Sequence, residues 1–421
     1  MRLRHGLALT FLLVMEAMQL TQGVAPKGAQ GAQGAQAAQG VVPPDPEVRP
    51  PGRLRARALG LAPGAGVPGP HNAITDVAGV RVGHVTLVEG DRTRTGVTAV
   101  LPHEGNLFRD KVPGAVFVGN AFGKLAGSTQ VQELGTIETP IVLTNTLGVG
   151  TAMDAVVRWT LAQPGNEQVR SVNALVGETN DGGLNDIRAL PVTTAHVTRA
   201  IAGAASGPVA EGAVGAGTGT IAFGWKGGIG TSSRRVRGAA DVEWTVGVLV
   251  QTNYGGRLTM GGVPVWRELN AAPGRGGQSA FPPSTAAAAS AGRDPQPSAD
   301  GSCMIVVATD APLDARDLER LAARAIFALA RTGSTYSNGS GDFAIAFSTA
   351  TANRVSGGTA PVARTFLPTD GVSAIFEAAL DATEEAVYNS LLMATDTTGN
   401  GRTIRALPIE ALKGLLRKYG R

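Results

Sequence analysis

Residues 271–300 are thirty positions dominated by Ala, Gly, Pro and Ser, and they stop at Gly301-Ser302-Cys303-Met304-Ile305-Val306-Val307-Ala308. A structureless stretch of that length inside a folded body is uncommon unless it is functional or a linker. Whatever fold the chain adopts must therefore place a buried strand directly behind a tether. Of 421 residues, 58 are glycine, 43% are hydrophobic, 17% charged and 5% aromatic. Glycine is enriched and charge falls below the usual share of about 25%. The apolar content suffices for a sizeable core, which excludes wholesale disorder. No strict glycine triplet runs through the body, which excludes a collagen-like chain.

The net charge of +4 misleads until it is located. Residues 1–60 carry seven Lys/Arg and three Asp/Glu, which leaves thirty of each sign in the remainder. A neutral body argues against a nucleic-acid partner. Cys303 is the single cysteine, so no intramolecular disulfide exists, and five scattered histidines offer little for a zinc site. No metal or cofactor is implied.

The first 25 residues read as an export signal. Arg2 and Arg4 precede an apolar run from Leu7 to Val14, with small residues near Gly23 and Ala25, and Glu16 is a departure from the pattern. The run is too short to span a bilayer, so the expectation is cleavage, no stable membrane insertion, and a periplasmic or extracellular product. Without a working signal the protein would be cytoplasmic. Residues 26–53 hold three Gly-Ala-Gln copies and a proline-rich run, and are expected to be a disordered linker. Residues 54–421 form the expected catalytic domain.

Short runs of Val, Ile and Thr at 80–88, 97–101, 115–118, 141–144 and 244–251 end at Gly, Asn or Pro and predict strands. A helix is expected over 151–161. Beyond the strand at 302–308, Asp314 can cap a helix with Leu318, Leu321, Ala322, Ala325 and Leu329 on one face, and Gly333 stops it. A polar turn over 332–341 leads to a strand at 343–347, and helices fit 372–392 and 408–419. Alternating strands and helices give the α/β class.

Several familiar chemistries are missing. There is no Gly-x-Ser-x-Gly, His-Glu-x-x-His or Cys-x-x-Cys, and residues 119–124 lack the spacing of a phosphate loop. Residues 215–219 read as a tight backbone turn rather than a dinucleotide loop. His71, His84, His103 and His196 have no serine or carboxylate at telling offsets. A hydrolase here needs another base. Ser302 offers one: an N→O acyl shift at Gly301 followed by hydrolysis would expose a new chain start. Its α-amine would have a pKa near 7.7–8.0, suited to general-base work beside its own hydroxyl. Taken alone, Gly301-Ser302 is far more often an ordinary loop-to-strand junction.

Ordered blocks across the chain decide between these readings. Residues 72–84 (NAITDVAGVRVGH), 94–100 (RTGVTAV), 139–146 (TPIVLTNT), 226–232 (KGGIGTS) and 248–255 (VLVQTNYG) resemble the self-cleaving aminopeptidases. That family comprises L-aminopeptidase/D-amidase/D-esterases and β-peptidyl aminopeptidases. Gly301-Ser302, the following IVVATDAPL at 305–313, and SNGSGD at 337–342 carry the resemblance furthest. It spans about residues 54–421 apart from the tether.

The resemblance implies self-cleavage between Gly301 and Ser302, giving pieces that end at 301 and start at 302. It makes Ser302 the nucleophile, assisted by Ser340 and Asp342, where the family often has Glu. It makes Asn253 the side-chain oxyanion donor. It places an ammonium-binding carboxylate within 127–135, where Gln132 replaces the first of two acids and Glu133 remains; Leu134 replaces a tyrosine of some relatives. The implied fold is a four-layer α-β-β-α sandwich, usually assembled as homotetramers of processed heterodimers. The implied substrates are short peptides, amino-acid amides or esters. Two other readings stay open: an acyltransferase of the ornithine acetyltransferase type, which uses threonine as nucleophile, and an exported peptide-binding protein altered at Gln132 and Leu134.

Overall fold

The β-rich runs pair into two sheets that face each other. A computed structural model describes residues 50–238, 242–269 and 301–421. The expected signal, all but the last residues of the 26–53 linker, and the 271–300 tail lie outside the described residues.

In chain order the strands begin with β1 (Arg81–Glu89), β2 (Thr93–Leu101), β3 (Asp110–Ala121), β4 (Leu125–Ala126), β5 (Thr136–Ile137), β6 (Ile141–Asn145) and β7 (Leu175–Thr179). They continue with β8 (Ile221–Ala222), β9 (Trp225–Lys226), β10 (Gly228–Arg237), β11 (Glu243–Asn253) and β12 (Ser302–Thr309). The last are β13 (Gly341–Ser348), β14 (Val355–Ser356), β15 (Thr397–Gly399) and β16 (Arg402–Ile404). The helices are α1 (Ser128–Leu134), α2 (Val149–Leu161), α3 (Thr194–Ala202), α4 (Val265–Glu268), α5 (Ala315–Thr332), α6 (Ser373–Leu392) and α7 (Ile409–Lys418).

One sheet has the order β1-β2-β6-β7-β4, and the other β10-β11-β12-β13-β3-β14, with β5 also on β3. Helices α2 and α3 cover the outer face of the first, and α5 and α6 that of the second. Three apolar cores fill the three gaps between four layers. Leu249, Met304, Val306 and Ile345 face Leu143 and Leu175 between the sheets. Val250, Ile305, Val307 and Ala344 face Leu321 and Leu391 on the helix side. Val142 and Val176 face Val156 and Val197 on the opposite flank. The α-β-β-α sandwich expected from the resemblance is the observed architecture.

The expected strands and helices occur with small shifts at their ends. β2 starts at Thr93 rather than 97 because hairpin pairing with β1 (Leu87 opposite Thr95) carries the ladder past the apolar run. Asp314 caps α5, accepting from Asp317 N at 2.8 Å, and Gly333 ends it in the left-handed region. β10 and β7 have no counterpart in the apolar reading. β10 is polar yet inward-facing: Arg234 is fully buried and pairs with Glu385 of α6 at 2.7 Å.

The two sheets are cross-tied near one end by Gln251. Its Nε2 shares two N–H donors among three acceptors, Thr144 O at 3.1 Å, Thr179 Oγ1 at 2.8 Å and Ala216 O at 2.9 Å. Each carbonyl left unpaired in a buried site costs about 1–3 kcal/mol. Gln251→Leu should therefore lower unfolding stability by about 2 kcal/mol or more. Differential scanning calorimetry would read this as a lower Tm; an unchanged Tm would show that the tie is dispensable.

Candidate active site

Ser302 opens β12, between two neighbours that fix its place by backbone pairing. It lies opposite Asn253 in the antiparallel β11 and opposite Gly341 in the parallel β13. Side chains alternate across a strand, so residues directly opposite share a face. Ser302 and Asn253 thus share the face that, two residues along, carries Met304 and Gln251 toward the other sheet. Both are buried.

Gly341 N–H lies 3.2 Å from Gly301 O and 3.3 Å from Ser302 Oγ. One donor is therefore aimed at both the carbonyl oxygen and the hydroxyl of the Gly301–Ser302 junction. Gly301 passes so close to β11 that a Cβ would fall 1.8 Å from Asn253 O. Only glycine fits there.

The Asn253 amide is held at both ends. Its Oδ1 accepts from Ile221 N at 3.0 Å and its Nδ2 donates to Asn180 O at 3.0 Å. A primary amide has two N–H donors, so one remains for a ligand. The bond from Ile221 also decides which way the amide faces.

Ser340 and Asp342 flank Gly341. Ser340 Oγ donates to Asp342 Oδ2 at 2.8 Å, and both residues are buried. Asp342 lies opposite Cys303, on the helix-side face of the sheet rather than on the face of Ser302. Ser340 precedes the strand, so the pair reaches around its end. Burial pushes the Asp342 carboxyl up to about 6, the Ser340 hydrogen bond opposing. Burial also pushes the Cys303 thiol well up, which keeps it protonated and inert.

Gln132 and Glu133 are not brought into this cluster. Both are exposed on α1, whose inward residue is Val131. Helix α1 ends at Gly135, whose carbonyl accepts from Gly114 N, and Gly114 lies opposite Phe347. Phe347 is five residues along β13 from Asp342, so α1 ends about 17 Å from the Ser302 end of the sheet.

A different carboxylate is at hand. Glu178, near the end of β7, is buried. Its Oε1 accepts from Lys124 N at 3.1 Å, and Thr146 Oγ1 donates to its Oε2. The Lys124 ammonium lies 3.6 Å from Oε1 but is itself exposed. Gly123 separates this carboxylate from the active strand: a Cβ there would be 3.3 Å from Gly341 Cα and 3.4 Å from Glu178 Oε1. Sequence reasoning missed Glu178. The available signal was an acid inside an apolar strand run, Leu175-Val176-Gly177-Glu178, since buried carboxylates are rare without a purpose or partner.

The profile of peptidase family S58 matches residues 72–404. The chain is 46% identical over 383 residues to the β-peptidyl aminopeptidase BapA of Sphingosinicella microcystinivorans, covering 87% of this chain and 93% of that one. Among solved structures, the Burkholderia sp. β-aminopeptidase is 40% identical with a TM-score of 0.77, covering 87% of this chain and 99% of that one. The L-aminopeptidase D-Ala-esterase/amidase of Ochrobactrum anthropi, described as a prototype of the serine aminopeptidases and a variant of the Ntn hydrolase fold, is 37% identical with a TM-score of 0.75; the match covers 87% of this chain and 99% of that one. With its nucleophile candidate at the head of a central strand and the same layered fold, this chain belongs to peptidase family S58, the N-terminal nucleophile serine aminopeptidases.

Proposed function

We propose that the chain cleaves itself between Gly301 and Ser302 and then releases N-terminal residues from short peptides, amino-acid amides or esters. The observation that carries this reading is the shared Gly341 N–H at Gly301 O and Ser302 Oγ. In the first event Ser302 Oγ attacks the Gly301 carbonyl carbon. The oxygen gains charge where Gly341 N–H already points. The C–N bond breaks, the Oγ proton passes to the Ser302 nitrogen, and the Gly301 acyl group rests on Oγ as an ester. Water hydrolyses that ester, leaving a Gly301 carboxylate and a free Ser302 amine.

A substrate acyl group then takes the place of Gly301. The Ser302 amine accepts the Oγ proton as attack proceeds and returns it to the leaving amine. Gly341 N–H and the free Nδ2–H of Asn253 receive the oxyanion, where one donor of this kind contributes about 10²–10³ in turnover. Ser340, held by Asp342, supplies a hydroxyl beside Gly341 that can relay a proton or hold the amine. Glu178 receives the substrate ammonium in place of the exposed Lys124 ammonium. The names of the relatives extend the substrates to peptides beginning with β-amino acids.

Export and assembly complete the reading. The Arg2/Arg4-led apolar run supports secretion to the periplasm or beyond, and the resemblance supports tetramers of processed heterodimers. Serine rather than threonine at 302 favours water over a second amine as acceptor, so hydrolysis is preferred to acyl transfer.

Denaturing electrophoresis with intact mass and N-terminal sequencing should reveal two pieces, the smaller starting at Ser302. Ser302→Ala should stay in one piece and release no p-nitroaniline from aminoacyl p-nitroanilides; a fully active single band would refute the scheme. Glu178→Gln should lower kcat/KM for free-amine substrates about tenfold to a hundredfold, the worth of a hydrogen bond to charge, mostly through KM. An unchanged KM would return the anchor to another residue, Glu133 included.

The pH profile is a further test. The Ser302 amine must be neutral, with an ordinary pKa near 7.7–8.0. Asp342 must be ionised, above about 6. Log(kcat/KM) should fall with unit slope as pH drops below the amine value, and with slope two below about 6. Asp342→Asn should leave unit slope throughout the acid range; persistence of the second break would exclude Asp342 as its source.

A further inference from the structure

Behind Asn253 sits a lysine to which the chemistry above gives no task. Lys226 is fully buried, and its Nζ donates to Gly217 O at 2.8 Å, Thr220 O at 2.9 Å and Gly227 O at 2.8 Å. A buried ammonium is costly unless its hydrogens are satisfied. Here three carbonyls meet three N–H donors, and a neutral amine, with only two, would leave one unsatisfied. Burial pulls the group down toward about 7, and the buried Asp181 opposes that pull. The three-fold carbonyl cradle favours the charged form.

One of the three carbonyls has a direct line to the active site. Thr220 C=O and Ile221 N–H belong to the same peptide unit, and Ile221 N–H donates to Asn253 Oδ1. Two further bonds brace the same turn: Thr220 Oγ1 donates to Gly217 O at 3.0 Å, and Gly227 N to Thr220 O at 3.2 Å. Read from the cation outward, every bond runs in one direction. The ammonium donates to the Thr220 carbonyl, that peptide's N–H donates to the Asn253 carbonyl oxygen, and the Asn253 amide keeps an N–H to give.

We propose that Lys226 is a positioning residue for the oxyanion site, acting through the Thr220–Ile221 peptide to orient and polarise the Asn253 side-chain amide. Each amide in such a chain becomes a better donor when its oxygen accepts a bond, and a cation at the head strengthens the series. The same link fixes the amide against rotation, so that Nδ2 rather than Oδ1 meets the developing negative charge. The inference rests on the proposed oxyanion role of Asn253.

The test is a double-mutant cycle on the processed enzyme with an aminoacyl p-nitroanilide, using Lys226→Met, Asn253→Ala and the pair. Lys226→Met should lower kcat about tenfold, less than direct loss of an oxyanion donor, with KM nearly unchanged. In the Asn253→Ala background the same substitution should cost nothing further in kcat. Lys226→Gln keeps two N–H donors without the charge, so it preserves the turn where Met does not. It should fall between the parent and Met. Equal losses from Lys226→Met or Lys226→Gln in both backgrounds would assign Lys226 a purely structural role and overturn the inference. So would an unchanged kcat in Lys226→Gln. A parental kcat in Asn253→Ala alone would instead reject the oxyanion reading beneath it.

Discussion

The register that sets Ser302 between Asn253 and Gly341 is the constraint on which the rest of the site depends. Backbone pairing on both sides holds the head of β12 to hydrogen-bond tolerance, without any side chain having to orient it. It also puts the Gly341 N–H at the Gly301–Ser302 junction and the Asn253 side chain on the face of Ser302. A hydrolase built this way does not need histidine. Burial pulls the half-buried His84 down to about 4, which makes it a weak base, and its ring nitrogen is engaged with Thr98 Oγ1. Since oppositely placed residues share a face, the same register sends Asp342 to the far side of the sheet. Its influence can reach Ser302 only around the strand end, and Ser340 is the residue found there.

Under the proposed cleavage, a break before the first residue of a fully paired strand would let two pieces share one core. The eight residues of β12 are bonded to β11 and β13 along their whole length, pairing that a break of the Gly301–Ser302 bond would leave intact. Their alternate side chains stay packed in two different apolar layers. A chain start at Ser302 would thus be held in place by a strand that has nowhere to go. A nucleophile placed mid-strand could not release a chain end without breaking the ladder. One placed in a loop would lose its orientation on release.

Much of this was legible in the sequence for physical reasons that differ residue by residue. Ser302 stood out because a low-complexity tether meets a buried strand at that point. The helix after Asp314 was legible because its cap, apolar face and Gly333 stop agree with one another. The four-layer sandwich and the site roles came through family resemblance, which composition and periodicity could not replace. Strand β10 was missed because burial there is bought with polar partners from distant segments: Ser233 Oγ donates to Asp76, Ser233 N to Asn72 Oδ1, and Arg234 pairs with Glu385. Such a strand has no apolar pattern to read. Glu178 drew no notice because a motif window shows neighbours in sequence, whereas the fold is what brings it close to Gly123. On α1, burial of Val131 turns the following residues outward.

The polar residues that periodicity could not read are the ones that define the site. Gln251, two residues before Asn253, ties the sheet of Ser302 to Thr144 and Thr179 of the other sheet. Thr179 is the neighbour of Glu178, and Asn180 receives the Asn253 amide. A single β-strand segment, 251–253, therefore sets the separation between the nucleophile on one sheet and the carboxylate on the other. Apolar contacts between the sheets resist compression but slide easily, whereas hydrogen bonds from one amide fix both distance and direction. On the proposed roles of Ser302 and Glu178, the distance between a held ammonium and a held scissile carbonyl would be a property of the inter-sheet tie. An added backbone carbon between those two groups would then be absorbed there or in the reach of Glu178, since the register at Ser302 leaves no slack.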